Sequence, residues 1–172
     1  MQATIDANAV AQVGTRLYLR TLSGRSQELY PVWDKVLDIL YEAERQLFAQ
    51  EGQTEEHGKW EALSPRYAAW KEKHYPGMPI LTLTGRFRGS MIDPSGQHHE
   101  ERRPRSLTWG SHHLVSGGDD LGGIHAVGRA NMPAREPIRV TQHNVNDIAD
   151  TVVDYILDFD LSQPRQALET GY

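Results

Sequence analysis

Between Trp60 and Ser90 the sequence W-E-A-L-S-P-R-Y-A-A-W-K-E-K-H-Y-P-G-M-P-I-L-T-L-T-G-R-F-R-G-S sets a helix start, a helix stop and an apolar return in close succession. Ser64 precedes Pro65, and the two suit a helix N-terminus for different reasons. A serine hydroxyl accepts from an orphan backbone N–H of the first turn, and a proline at the first helical position has no N–H to leave unpaired. A short helix is therefore predicted from Pro65 to His74. Tyr75-Pro76-Gly77-Met78-Pro79 ends it, because proline cannot continue the hydrogen-bond ladder and glycine next to proline favours turns. The following run, Ile80 to Gly85, is apolar and β-prone. It fits a strand or the approach to a helical turn over 85–91 with Leu81, Thr84, Phe87 and Met91 on one side, and the helical turn is favoured.

The elements on either side follow from periodicity. Leu29, Val32, Val36, Ile39, Leu40, Ala43 and Leu47 recur at spacings of three and four, so the longest helix is expected from Glu28 to Gln50, with Pro31 tolerated in its first turn. A second amphipathic helix is expected from Asn144 to Phe159, with Val145, Ile148, Ala149, Val152, Ile156 and Phe159 on one face and Asp147, Asp150, Asp154 and Asp158 on the other. Near the start, Asp6 fits the cap of a helix carrying Val10, Val13, Leu17 and Thr21, although 14–20 also alternates as a strand does; helix is favoured. After Met91 the pattern changes to short strand-like pieces at 98–103, 107–110, 114–116 and 124–127, separated by Asp93-Pro94-Ser95-Gly96 and Ser116-Gly117-Gly118-Asp119-Asp120. Gly128 to Pro137 should be irregular, since a residue before proline is pushed out of the α region.

The expected fold class is α+β: long N-terminal helices and a C-terminal helix packed on a small antiparallel sheet with long loops. The 172 residues suit one domain, 1–172, with a flexible arm at about 93–106 and a tail at 161–172. A mean hydropathy of -0.59 sets the chain at the polar end of globular proteins and fits large wet interfaces. Absence of cysteine excludes disulfides, thiolate metal sites and a cysteine nucleophile. No long apolar run or charged-then-apolar leader is present, so neither membrane span nor secretory signal is expected.

Charge is unevenly distributed. Asp147, Asp150, Asp154, Asp158, Asp160 and Glu169 face Arg165 alone in the last segment, an excess equal to the whole formal charge of -5. Arg86, Arg88, Arg102, Arg103 and Arg105 cluster in the middle, offset by Asp93, Glu100 and Glu101. These two groups form a candidate charged interface. An overall acidic chain lacks the clustered positive field that nucleic acid requires, so the arginines read first as solvated loop, then as a protein contact, and last as a DNA contact.

Catalytic patterns are wanting. His98, His99, Glu100, His112, His113 and His125 lie in the loop-rich half, but neighbouring histidines on a strand point to opposite faces and no zinc-ligand spacing occurs. G-x-S-x-G is missing, and Ser116-Gly117-Gly118 lacks the lysine of a phosphate loop. No cofactor is expected.

Taken in order, W-E-A-L-S-P-R-Y-A-A-W-K, P-I-L-T-L-T-G-R-F-R-G-S, I-H-A-V-G and M-P-A-R-E-P resemble the virion morphogenesis, or tail completion, proteins of Mu-like and P2-like tailed phages. Trp60, Leu63, Ser64, Lys71, Ile80, Leu81, Thr84, Gly85, Ser90, His125, Gly128, Pro133, Ala134 and Arg135 fit the family pattern. Gly122-Gly123, Ala126 and Phe87 depart from it. The resemblance implies a non-enzymatic virion protein, assembled in the bacterial host cytoplasm, that completes the tail end or neck and lets head and tail join. It further implies a ring of identical copies, a hexamer or else a dodecamer, in contact with other neck and tail proteins such as terminator and connector subunits, without a membrane. The alternatives are a DNA-contacting neck or connector protein and, behind it, a His-dependent metallohydrolase.

Overall fold

The computed structural model describes residues 2–6, 27–95, 98–111, 113–115, 118–129 and 132–157. They form a mixed α+β fold. Strands β1 (Gln2–Asp6), β2 (His98–Arg102) and β3 (Ser106–Ser111) make an antiparallel sheet in the order β1-β3-β2. Trp109 of the central strand lies opposite Ala3 on one side and Glu100 on the other. The helices are α1 (Trp33–Ala49), α2 (Pro65–His74), α3 (Arg86–Ile92), α4 (Leu121–Val127) and α5 (Gln142–Leu157).

Helix α1 is the axis of the core. Its stripe of Trp33, Val36, Leu37, Leu40, Tyr41, Leu47 and Phe48 is buried, and α1 packs against α3 and α5. Alternate residues of β3, Leu107, Trp109 and Ser111, are buried as the pleat requires, and the Tyr41 and Trp109 rings meet edge to face at 5.6 Å. A turn of 3-10 helix, Tyr30–Val32, carries Pro31 into α1, so α1 itself begins later than the expected Glu28. Two bonds tie this entry to the β2–β3 turn: Leu29 N–H donates to Pro104 O at 2.7 Å and Trp33 Nε1 donates to Arg103 O at 2.9 Å. Both residues are fully buried.

Helix α2 spans the expected Pro65–His74, with Ser64 Oγ accepting from Tyr67 N–H at 3.4 Å. The run from Ile80 leads into helix α3, with Gly85 at φ 82° before it. Several expectations change. Residues 124–127, expected as a strand, lie in α4; the Asp120 carboxylate accepts from Gly122 N–H and Gly123 N–H at 3.1 Å each and supplies a helix N-terminus. Of the strand expected at 114–116, Leu114 forms an isolated bridge to Asp120, and residue 116 lies outside the described residues. Asp6 closes strand β1, and the rest of the helix expected to follow it lies outside the described residues. Helix α5 begins at Gln142, two residues earlier than expected, while Asp158, Phe159 and the tail at 161–172 lie outside the described residues. The expected arm at 93–106 contains β2 and the turn that closes the hairpin.

The chain leaves α1 through Glu51 at φ 52° and Gly52 at φ 88°, and Gly52 N–H reaches back to Leu47 O at 2.8 Å. The Trp60 indole lies so close above Gly52 that an added Cβ would meet its ring at 2.5 Å. A side chain is thus excluded both by backbone conformation and by contact. Gly52→Ala is expected to destabilise the fold by about 2–4 kcal/mol, from left-handed strain plus overpacking. A lowered urea midpoint at unchanged slope checks this; a midpoint equal to wild type contradicts it.

Candidate functional site

The residues of the four resembling segments gather where the loop 50–64, the loop 128–141 and helix α2 meet. Arg135 is at their centre, 3% exposed. Its side chain donates from Nε to Glu61 O at 2.6 Å and from Nη2 to Ala62 O at 2.9 Å, so a planar fork bridges two successive carbonyls. Its backbone N–H donates to His125 O at 2.7 Å. Trp60, 4% exposed, donates from Nε1 to Glu136 O at 2.8 Å and sets its ring edge to face with Phe48 at 5.3 Å. Each loop therefore satisfies the other's backbone.

Lys71 reaches inward from α2 and donates to Pro79 O, closing the Pro76–Pro79 reversal over the helix. Burial holds its ammonium below the ordinary lysine value; Glu51 opposes that shift and Arg135 adds to it. Gly128 has φ 74°, and a Cβ there would lie 2.7 Å from Met132 O and 2.9 Å from Ala134 N, so glycine alone allows the backbone at Met132 to Ala134 to pack against it. His125 sits against Phe87, ring centres 6.0 Å apart, and burial followed by the Arg135 charge keeps its imidazole below the usual histidine value. Leu63, Leu81 and Pro133 are half-buried around this junction, Leu81 at φ 58°, and Thr84 is exposed. Ser90 Oγ donates to Phe87 O at 2.7 Å and pairs with Ser111 Oγ at 2.8 Å, which joins α3 to β3.

The basic group is not assembled as a patch. Arg102 is held by Glu100 and by Asp34 at 2.7 Å, and Arg103 by Glu101 at 2.7 Å. Arg86 and Arg105 are exposed and Arg88 is half-buried. On α5, Asp147 lies 3.4 Å from His143, while Asp150 and Asp154 are exposed. The histidines disperse as well. His98 packs on Tyr41 and contacts Glu100 at 3.2 Å, whereas His113 and His125 flank Phe87. Among the described residues no group of three His, Asp or Glu side chains could hold a metal ion; His112 lies outside them.

Three features went unread in the sequence. Glu44 is 1% exposed in the middle of the α1 stripe, and burial raises its carboxyl well above the usual range, partly offset by a bond from the Arg139 backbone N–H. Arg139 repeats the action of Arg135 one turn along the loop, donating from Nη1 to Gly58 O at 2.8 Å and to Gly52 O. On the outer side of α2, Tyr67 stacks on Trp70 at 5.5 Å and Trp70 on His74 at 4.9 Å. His74 Nδ1 donates to Trp70 O at 2.7 Å, which fixes the last ring. Spacings of three and four within 67–74 were the available signal.

Comparison with family models, characterised proteins and solved structures returned no match.

Two substitutions test the energetics of this junction. Arg135→Lys keeps the charge but cannot bridge both carbonyls, and a loss of about 1.5–3 kcal/mol is expected in urea unfolding; no loss would mean that the bridge is dispensable. Burial raises the folded Glu44 carboxyl well above its unfolded value of about 4.5, so its contribution is fully present below that value and is lost as pH rises above it. Glu44→Gln is therefore expected to stabilise at pH 7, with the advantage shrinking towards about pH 4. A pH-independent difference would contradict this account.

Proposed function

We propose that this chain is a structural protein of a tailed-phage virion, one that completes the tail end or neck and enables head–tail joining within a ring of identical copies. The observation that carries the reading is the convergence of the four resembling segments. Residues as distant as Trp60, Lys71, His125 and Arg135 meet at one junction, where the polar groups of Trp60, Lys71 and Arg135 end on backbone carbonyls. Such a set is spent on holding loops in register, which suits a subunit that works by shape. A ring contact is heterologous and needs two different complementary faces on each copy. Pairing of Arg102 and Arg103 within their own hairpin weighs against the DNA-contacting alternative, because it removes charge available to phosphate. In this reading the protein makes and breaks no bond, assembles in the host cytoplasm and resides in the virion neck or tail.

Electron microscopy of particles from a phage carrying a nonsense mutation in this gene tests the proposal. Filled heads and finished tails that stay apart, and join when the protein is supplied, are the expected result. Intact infectious particles without the protein would overturn it.

A further inference from the structure

We infer that the outer face of α2 is the surface on which a second copy of this chain docks, through the acidic outer face of that copy's α5. The inference rests on the ring reading above and names the two faces that would close the contact.

Helix α2 is exposed along nearly its whole length, with Lys71 its buried residue. Tyr67 is 41% exposed and Trp70 42% exposed, and both belong to the Tyr67-Trp70-His74 stack. Scattered exposed aromatics are ordinary, but a pre-stacked row is not: it presents a large contact area with little rotamer entropy left to lose. Tyrosine and tryptophan of this kind dominate protein contact energies.

Charge selects the occupant. Arg66 and Lys73, both exposed, stand four residues before and three after Trp70, and so flank it on the same face. They are seven residues apart, about 10 Å along the axis. Helix α5 buries Ile148, Val152 and Ile156 and turns Asp147, Asp150 and Asp154 to the other side, with neither lysine nor arginine in the helix. Asp147 and Asp154 are also seven residues apart, about 10 Å. Two cations around an aromatic row thus match two carboxylates at equal spacing, with Asp150 between them. An antiparallel approach sets Arg66 opposite Asp154 and Lys73 opposite Asp147. Since the two faces lie on different elements, each copy can give one and receive the other, which propagates or closes a ring.

Charge reversal tests this with the full chain, by sedimentation velocity across a concentration series. Arg66→Glu with Lys73→Glu, and separately Asp147→Lys with Asp154→Lys, should each weaken self-association about tenfold or more. An equimolar mixture of the two variants should restore it, because each then offers the other an opposite face. All four positions are on the surface, so unchanged circular dichroism is expected of both variants. The chain has no cysteine, which permits a second readout: Ala69→Cys mixed with Asp150→Cys should be joined by a short bis-maleimide, and neither variant alone should be. Self-association indifferent to both reversals, a mixture no stronger than its components, or a wild-type chain that stays monomeric up to about millimolar concentration would each overturn the contact. None of these results depends on particle imaging, so the virion reading stands or falls separately.

Discussion

The junction depends on the Arg135 guanidinium. A buried cation is costly unless its donors are met, and here two consecutive backbone carbonyls meet them. The arrangement works in both directions. The loop at 58–64 supplies the acceptors and the loop at 133–137 the donors. Trp60 reinforces the same join from the opposite side through Glu136 O, and Arg139 does so again through Gly58 O. Two irregular stretches, more than seventy residues apart in the chain, are thereby made as definite as a pair of strands. Aromatic packing beneath them, Trp60 on Phe48 and Phe48 on Phe87, connects this polar join to the α1 core.

Around that join the molecule divides its work. Helix α1 and strand β3 supply apolar burial, with Trp33 and Trp109 fully enclosed. The loops supply backbone satisfaction, and α2 and α5 present their outer faces. Lys71 and Arg135 are buried where the loops meet, and Glu44 is buried within the α1 stripe. Cations aimed at carbonyls stiffen loops without adding a strand edge.

How much of this was legible depended on whether the signal was local. Ser64-Pro65 placed α2 to the residue because capping and proline geometry act within one turn. The stripe of α1 was equally plain, although Pro31 opens a 3-10 turn before the α-helix proper. Residues 124–127 look strand-like by themselves but are helical, because the helix is started upstream by the Asp120 carboxylate at Gly122 and Gly123, two residues that are poor helix formers. The pairing of Arg102 with Glu100 and of Arg103 with Glu101 was available from strand alternation, which sets residues two apart on one face. Glu44 was also available, since it occupies a core position between Leu40 and Leu47. Arg135 reaching Glu61 and Ala62 was not available at all: no local pattern says where a loop arginine ends.

The burial of the indoles has an optical consequence. Trp33, Trp60 and Trp109 are at most 4% exposed, whereas Trp70 stands on α2 at 42%. Solvent-relaxed emission from this protein accordingly arises at one helix, and the imidazole stacked on Trp70 is a natural quencher of it. The molecule carries its own spectroscopic reporter, seated on one surface and largely blind to the interior.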